Sequence, residues 1–162
     1  FIGHILLTKN SFTSFVYTTG TENPDTGPAP SGAASRGKIL YQKHNCAACH
    51  QATGLGVPGA FPPLAKSAWV AGSEERVIKA ILAGLAGEIE VNGVKYNGNM
   101  PNIGAGLKDA QVANIATYVR QAWGNTAEPV MDTKVAEVRK AIGNRAQYNP
   151  ADLLKEHPLE SK

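Results

Sequence analysis

Apolar residues recur at helical spacing in four stretches of the chain, and each stretch predicts a helix. The predicted helices cover residues 35–45, 73–85, 109–123 and 132–142. The first three begin at Ser35, Ser73 and Asp109, whose side-chain oxygens are suited to accept hydrogen bonds from the first turn of a helix. The core of the molecule is therefore expected to be helical.

A different pattern, alternation of apolar and polar residues, occupies residues 89–96. Two short alternating runs flank Asn92-Gly93, and this arrangement predicts a β-hairpin. The stretches 51–68 and 97–106 are rich in glycine and proline and predict loops. Residues 145–162 are polar with two prolines, and we expect them to run over the surface.

A proline-rich stretch divides the chain. Residues 20–35 contain three prolines, which is typical of a linker without regular structure. We expect an N-terminal arm and linker at residues 1–34, one folded domain at residues 35–124, and a C-terminal extension with one short helix at residues 125–162. The arm has weak strand character at residues 12–17. The predicted fold class is all-α, with a small hairpin and two terminal extensions.

The N-terminal end suggests processing. The sequence begins with Phe1 rather than Met, so we expect a processed or trimmed product. Residues 1–7 are apolar but short, and two origins explain them equally: the stub of a removed signal or anchor, or an arm that packs on a partner. No stretch approaches the roughly 18 apolar residues that a membrane helix needs.

The charge is mild. The 162 residues carry a formal net charge of +3, and 43% of them are hydrophobic, which is enough for one core. The chain has no basic run interleaved with aromatic residues, and this argues against binding to nucleic acid. A weakly basic face can still steer an acidic protein partner.

The two cysteines lie in the motif Cys46-Ala-Ala-Cys49-His50. Two thiols three positions apart, followed by an imidazole, are typical of the attachment site for c-type haem. One helical turn between the thiols matches the gap between the two porphyrin vinyl groups to which they add, and the adjacent histidine supplies an iron ligand. The motif predicts one haem c attached through Cys46 and Cys49, with His50 as the proximal ligand.

Two other kinds of site use a Cys-x-x-Cys pair. A redox dithiol of the thioredoxin type normally opens a helix after a strand of a parallel sheet, whereas this motif ends a predicted helix and no such sheet is predicted. A zinc site needs two further ligands, and the histidines that would have to supply them are His4, His44 and His157. Haem attachment is the interpretation that uses every residue of the motif.

Residues 35–124 resemble the class I cytochrome c family in several ordered features. Gly37 and Tyr41 precede the motif, where that family places a glycine and an aromatic residue that pack on the last helix. Tyr118 lies in the matching Tyr-Val-Arg segment, residues 118–120. The resemblance implies a fold of three core helices around one covalently bound haem.

The resemblance extends to the loop after the motif. The sequence Phe61-Pro62-Pro63-Leu64 is similar to the family's Pro-x-Leu loop, in which the proline carbonyl accepts a hydrogen bond from the proximal histidine. Alignment on the leucine assigns this role to Pro62. A ligating histidine needs its second ring nitrogen oriented by an acceptor, so the assignment is physically sound.

The resemblance also points to Met100 as the second iron ligand. In the family the distal methionine precedes a proline, in a glycine-rich loop just before the C-terminal helix, and Met100 meets all three conditions. Met131 lies in the extension without a following proline. The histidines at positions 4, 44 and 157 lie in the tails or too near the attachment site to reach the opposite face.

Trp69 is a further candidate for the site. In many relatives a tryptophan in this region packs along the haem edge, with its indole N–H near a propionate. Ordinary core packing explains Trp69 equally well. Both interpretations remain open from the sequence.

With both axial positions filled, the iron has no open position for a substrate, and this favours electron transfer over catalysis. We expect one-electron transfer by a His/Met haem, in the periplasm or at the outer face of the cytoplasmic membrane. The long extensions favour a subunit or dedicated partner of a respiratory or dehydrogenase complex. The alternatives are a freely diffusing periplasmic carrier, and a haem peroxidase or gas sensor with a displaceable Met100.

Overall fold

The computed structural model of the chain describes residues 32–160. The predicted arm, its strand at residues 12–17, most of the linker and His4 lie outside the described residues. Within residues 32–160 there are helices and one antiparallel pair of strands, in this order: α1 (Ala33–Lys43), α2 (Cys46–His50), α3 (Ala68–Ala71), α4 (Glu74–Ala83), β1 (Leu85–Val91), β2 (Val94–Met100), a 3-10 turn (Ile103–Gly106), α5 (Asp109–Gln121), α6 (Asp132–Ile142) and α7 (Pro150–Glu156). No helix in this range has both the length and the apolar character needed to cross a bilayer.

Helices α1 and α5 cross in direct contact. The crossing requires Gly37, because a Cβ atom at this position would lie 1.9 Å from the carbonyl oxygen of Asn114. Leu40 and Val112 are fully buried at this junction, and Ile78 of α4 belongs to the same core. The apolar faces predicted for the first three helices therefore meet in one core.

The structure confirms the predicted start of α4 but not that of α1. The Ser73 hydroxyl accepts a hydrogen bond from the Arg76 amide at 3.3 Å, so Ser73 caps α4 as expected. Ser35 does not cap α1, because the helix begins two residues earlier, after Gly32, whose φ of 73° is readily adopted by glycine. The haem motif does not end this helix either. Asn45, at φ 63°, breaks the chain direction, and residues 46–50 form a separate short helix, α2.

The hairpin is confirmed and is longer than predicted. Its two-residue turn is Asn92-Gly93, and the register pairs Leu85 with Met100 at the open end. Residues 97–100 are therefore strand rather than loop. The extra pairs join strands that are neighbours in the sequence, but a distant part of the chain helps to stabilise them. The backbone of Tyr148 bonds to Gly84 and Ala86 at 3.0 Å, on the other edge of β1.

The C-terminal extension is folded onto the domain. Helix α6 covers residues 132–142 as predicted, and its Val135 and Val138 are buried in the same core as Leu40. The sequence predicted polar surface chain after residue 144, and this is wrong for α7, which packs on β1. Leu153 of α7 is fully buried in a second cluster. The extension thus holds two helices rather than one.

Candidate haem site

A cavity of about 290 Å³ opens between α2, α4, the hairpin and α5, and its walls are mostly apolar. Every residue that the sequence singled out for the site lines this one cavity: Cys46, Cys49, His50, Pro62, Trp69 and Met100. Residues that are 50 positions apart in the chain are therefore brought to one cavity.

The two thiols lie on α2, one helical turn apart and half-buried. Burial, as the main cause, raises the pKa of Cys46 to about 11. A redox-active dithiol needs the opposite, a thiol whose pKa is depressed so that the thiolate forms near neutral pH. Nor does any group of three or more His, Cys, Asp or Glu side chains within residues 32–160 have the arrangement of a metal site. Neither observation supports a redox dithiol or a zinc site.

The ring of His50 is oriented by the loop that follows. Its Nδ1–H donates to the carbonyl oxygen of Pro62 at 2.8 Å. Because a carbonyl can only accept, the Nδ1 atom carries the proton and the Nε2 lone pair is left for a metal. Burial lowers the pKa of His50, against a smaller opposing effect of the Pro62 hydrogen bond, so the neutral, ligating form is favoured.

The loop itself is held by contacts close in sequence and by two remote ones, from Trp123 Nε1 to the Ala52 carbonyl at 2.9 Å and from Asn125 Nδ2 to the Leu64 carbonyl at 3.0 Å. The Gly56 amide donates to the His50 carbonyl at 3.0 Å, and the Leu64 amide donates to the Gly54 carbonyl at 2.7 Å. The Tyr41 hydroxyl on α1 donates to the Gln51 carbonyl at 2.7 Å. These bonds place Pro62 under His50, which is the arrangement that the resemblance implied.

Met100, which also lines the cavity, ends β2 and is half-buried. Its carbonyl oxygen lies against Gly84, where an added Cβ atom would approach it to 2.3 Å. The same oxygen accepts a hydrogen bond from Gln147 Nε2 at 2.8 Å. Met131, His44 and His157 do not line the cavity, which leaves Met100 as the candidate for the second ligand among the described residues.

Trp69 is buried and lines the cavity, and its indole N–H donates to the Glu90 carbonyl at 2.9 Å. This bond ties α3 to the hairpin. The Glu90 carbonyl therefore satisfies the indole N–H of Trp69 within the protein, while the ring still forms part of the cavity wall.

Arg76 is a lining residue that the sequence did not reveal. Although it is 1% exposed, its guanidinium is satisfied by four backbone carbonyls, those of Ala68, Trp69, His157 and Pro158. Two of these carbonyls lie about 80 residues further along the chain. No local pattern could have identified a side chain whose partners are so distant.

The residues present fit a covalently held haem. The cavity offers an apolar enclosure, two thiols spaced by one helical turn, an imidazole with a free Nε2 lone pair, and a thioether. Imidazole and thioether are a known ligand pair of c-type haem iron. The site thus has the parts that the group requires.

Comparison with known proteins gives an independent result. The family model for cytochrome c matches residues 34–123. Cytochrome c-552 of Thermus thermophilus is 46% identical over 97 residues, which are 57% of this chain and 64% of that protein.

More distant relatives are parts of larger assemblies. The cytochrome c subunit of the quinone alcohol dehydrogenase of Gluconobacter oxydans is 31% identical over 96 residues, 59% of this chain and 20% of that subunit. The FixP subunit of the cbb3-type cytochrome c oxidase of Azorhizobium caulinodans is 35% identical over 94 residues, 57% of this chain and 30% of that subunit. The chain therefore spans less than two thirds of the length of each of these three relatives.

Proposed function

The chain belongs to the cytochrome c family, and from that premise we propose that it transfers single electrons through a haem iron ligated by His50 and Met100. It is an electron-transfer protein rather than an enzyme, and it carries one haem c bound through Cys46 and Cys49. The observation that carries the proposed ligand pair is that His50, oriented by Pro62, and Met100 line one cavity.

The haem, when bound, supplies an iron that exchanges one electron between its ferric and ferrous states. The chain's own residues set the conditions for that exchange. The Pro62 carbonyl holds the His50 ring in one orientation, and the apolar walls exclude water, which favours the less charged ferrous state. The soft thioether of Met100 favours the same state.

Phe61 connects the cavity wall with the protein surface. Its ring lines the cavity and is also 38% exposed, so it extends from the cavity wall to solvent. Leu55, in the same loop, is 64% exposed. An apolar surface at the mouth of the site favours close approach of a redox partner without a need to remove tightly bound water.

The ligand pair is tested with Met100→Ala and with Met131→Ala as the matched control. A methionine sulfur on ferric haem iron gives a weak long-wavelength absorption band, which we call the Met–iron band. We expect Met100→Ala to abolish the band, to lower the reduction potential and to admit cyanide or carbon monoxide to the iron. Met131 is 39% exposed and does not line the cavity, so Met131→Ala should change none of these.

Two outcomes would contradict the proposal. The wild-type ferric protein would lack the Met–iron band at neutral pH, or Met100→Ala would leave the band, the potential and ligand binding unchanged. In either case another residue would be the second ligand.

As for its setting, we infer that the protein serves a respiratory or dehydrogenase complex, in the periplasm or at the outer face of the cytoplasmic membrane. The relatives that are dehydrogenase and oxidase subunits support this inference. The C-terminal extension does not, because α6 and α7 pack on the chain's own core. A freely diffusing carrier is the alternative. Purification of the native protein distinguishes the two, since a subunit elutes with partner chains and a carrier elutes at its own mass.

A peroxidase or gas sensor with a displaceable Met100 is a weaker candidate. Peroxidase catalysis needs an acid–base group beside the iron. Among the described residues that line the cavity, His50 is the one histidine and there is no aspartate or glutamate. Strong peroxidase activity of the wild-type protein would revive this candidate.

A further inference from the structure

The C-terminal extension contacts the segment that carries Met100 directly. The side-chain amide of Gln147 uses its Nε2 group twice: it donates to the Met100 carbonyl at 2.8 Å and to the Asn99 side-chain oxygen at 2.6 Å. Gln147 lies 47 positions after Met100 and 48 positions after Asn99 in the chain. Both donor hydrogens of the amide are therefore spent on the last two residues of β2.

The backbone beside Gln147 is fixed as well. The Tyr148 amide donates to the Gly84 carbonyl at 3.0 Å, and the Tyr148 carbonyl accepts from the Ala86 amide at 3.0 Å. Gly84 in turn lies against the Met100 carbonyl. Tyr148 is 1% exposed, so this anchor is a buried one. The Gln147 side chain thus starts from a rigid base and ends on Met100.

Helix α6 of the extension also holds the chain just after Met100. Arg139 of α6 donates to the Asp109 carboxylate and to the Leu107 carbonyl, both at 2.7 Å, and to the carbonyls of Gly104 and Ala105 at 3.3 Å. The stretch between Met100 and α5 is therefore bound to the extension at both of its ends.

Methionine has three flexible side-chain torsions, so its sulfur is positioned well only if the backbone that carries it is fixed. From these contacts we infer that Gln147 is the positioning residue for Met100, and that the C-terminal extension governs how often Met100 leaves the iron. The inference rests on the proposed His50/Met100 ligation. It assigns a role in the site to a segment that the sequence placed on the surface.

The test is imidazole binding to the ferric holoprotein, because imidazole enters only when Met100 has left the iron. Its apparent affinity rises in proportion to the fraction of open molecules. Loss of the two Gln147 hydrogen bonds in Gln147→Ala should raise this affinity about five-fold or more. Gln147→Glu should raise it further, because a carboxylate cannot donate and would face two acceptor oxygens.

Arg145→Ala is the matched control. The Arg145 guanidinium carbon lies 3.4 Å from the centre of the Tyr148 ring, so this variant loosens the same segment without touching Asn99 or Met100. A positioning role predicts that Gln147→Ala raises imidazole affinity more than Arg145→Ala does when the two have the same thermal midpoint. Equal changes at equal stability would overturn the inference, since Gln147 would then act only through general stability.

Failure of this inference can be told from failure of the proposed ligation. Met100→Ala should itself raise imidazole affinity, and Gln147→Ala added to it should have no further effect. If Met100→Ala leaves the affinity unchanged, the proposed ligand is wrong. If Met100→Ala raises it and Gln147→Ala does not, the ligand stands and the role of Gln147 is overturned.

Discussion

The bonds that orient the two candidate iron ligands, His50 and Met100, differ in how far along the chain their partners lie. On the proximal side, residues 46–64, the His50 ring bonds to Pro62, 12 residues away, and the His50 carbonyl bonds to Gly56. On the distal side, formed by Met100 and the residues that hold it, the Met100 carbonyl lies against Gly84 and bonds to Gln147, 47 residues away.

This difference has a thermodynamic consequence. A short loop closes with little loss of chain entropy, so the bond that orients His50 can form once α2 and its loop are in place. Remote bonds from Trp123 to Ala52 and from Asn125 to Leu64 hold this loop at other residues. The distal contacts require that the extension is already folded on the hairpin. We therefore expect local opening to begin on the distal side, and the Met–iron band to be lost before the rest of the structure.

Two glycines offer the strongest test of this comparison, one on each side. Gly56 has φ 64°, and an added Cβ would lie 2.2 Å from the Phe61 carbonyl oxygen. Gly84 has φ 78°, with the Met100 carbonyl at 2.3 Å. Alanine at either position should lower the free energy of unfolding by about 3–5 kcal/mol. On heating, Gly84→Ala should lose the Met–iron band well below global unfolding, whereas Gly56→Ala should lose both together.

Gly59 and Gly93 provide controls with a similar positive φ but no steric contact. Their φ angles are 75° and 79°, and nothing lies within 4 Å of an added Cβ. Alanine at either should cost about 1 kcal/mol and leave the band unchanged. Controls that are as damaging as Gly84→Ala would show that backbone strain alone, rather than contact with the ligand segment, explains the effect.

The same division separates what the sequence could predict from what it could not. The proximal site was predictable because its chemistry is written within a few positions, in Cys46, Cys49 and His50, and its acceptor Pro62 follows soon after. Helices α4 and α6 and the turn at Asn92-Gly93 were predictable for the same reason: caps, periodicity and turn residues are local signals.

The distal support was not predictable, because its signals are weak or remote. Resemblance predicts Met100 as the second ligand, but nothing near Gln147 or Tyr148 indicates that they pair with residues 84–100. The stretch after residue 144 is mostly polar, and of its apolar residues Tyr148, Pro150 and Leu153 are buried. Three such residues without a regular period give no helical face to recognise, so the polar composition led to the wrong prediction of surface chain.

Leu153 gives the next largest expected effect. It is fully buried against the hairpin, in the cluster that also contains Trp69, Tyr96 and Tyr148. Leu153→Ala should lower the free energy of unfolding by about 2–4 kcal/mol through lost burial and the cavity it leaves. Because α7 holds the distal side, the thermal midpoint followed by the Met–iron band should fall more than the midpoint followed by far-ultraviolet circular dichroism.

Leu154, the next residue, is only half-buried and serves as the control. Leu154→Ala should have a smaller effect on both midpoints. If Leu153→Ala lowers the two midpoints equally, the extension and the domain unfold as one unit, and the distal side is no weaker than the proximal side.

The smallest expected effect is a pH dependence at the end of α7. His157 Nε2 lies 2.9 Å from Lys79 Nζ and 3.6 Å from the Glu75 carboxylate, and His157 Nδ1 lies 3.3 Å from the Ser73 hydroxyl. Burial, followed by the charge of Lys79, lowers the pKa of His157 from its ordinary 6.5, so the fold favours the neutral ring. The unfolded chain therefore takes up the proton first as the pH falls, and stability is lost below about pH 6.5.

Glu75 contributes a second pH effect, at lower pH than that of His157. The hydrogen bond from Lys134 is the main cause that lowers the pKa of Glu75 from its ordinary 4.5, so its contribution is lost only as the pH falls below that value. Between about pH 7 and pH 5, the change at α7 should come from His157 and amount to about 1 kcal/mol or less. Hydrogen exchange of the α7 amides measures it: exchange free energies in the wild type should fall over this range, and His157→Gln should remove the dependence. If His157→Gln retains the full dependence, His157 is not its source. If the amides of α2 show the same His157-dependent change, then the two sides of the site are coupled more tightly than their separate contacts imply.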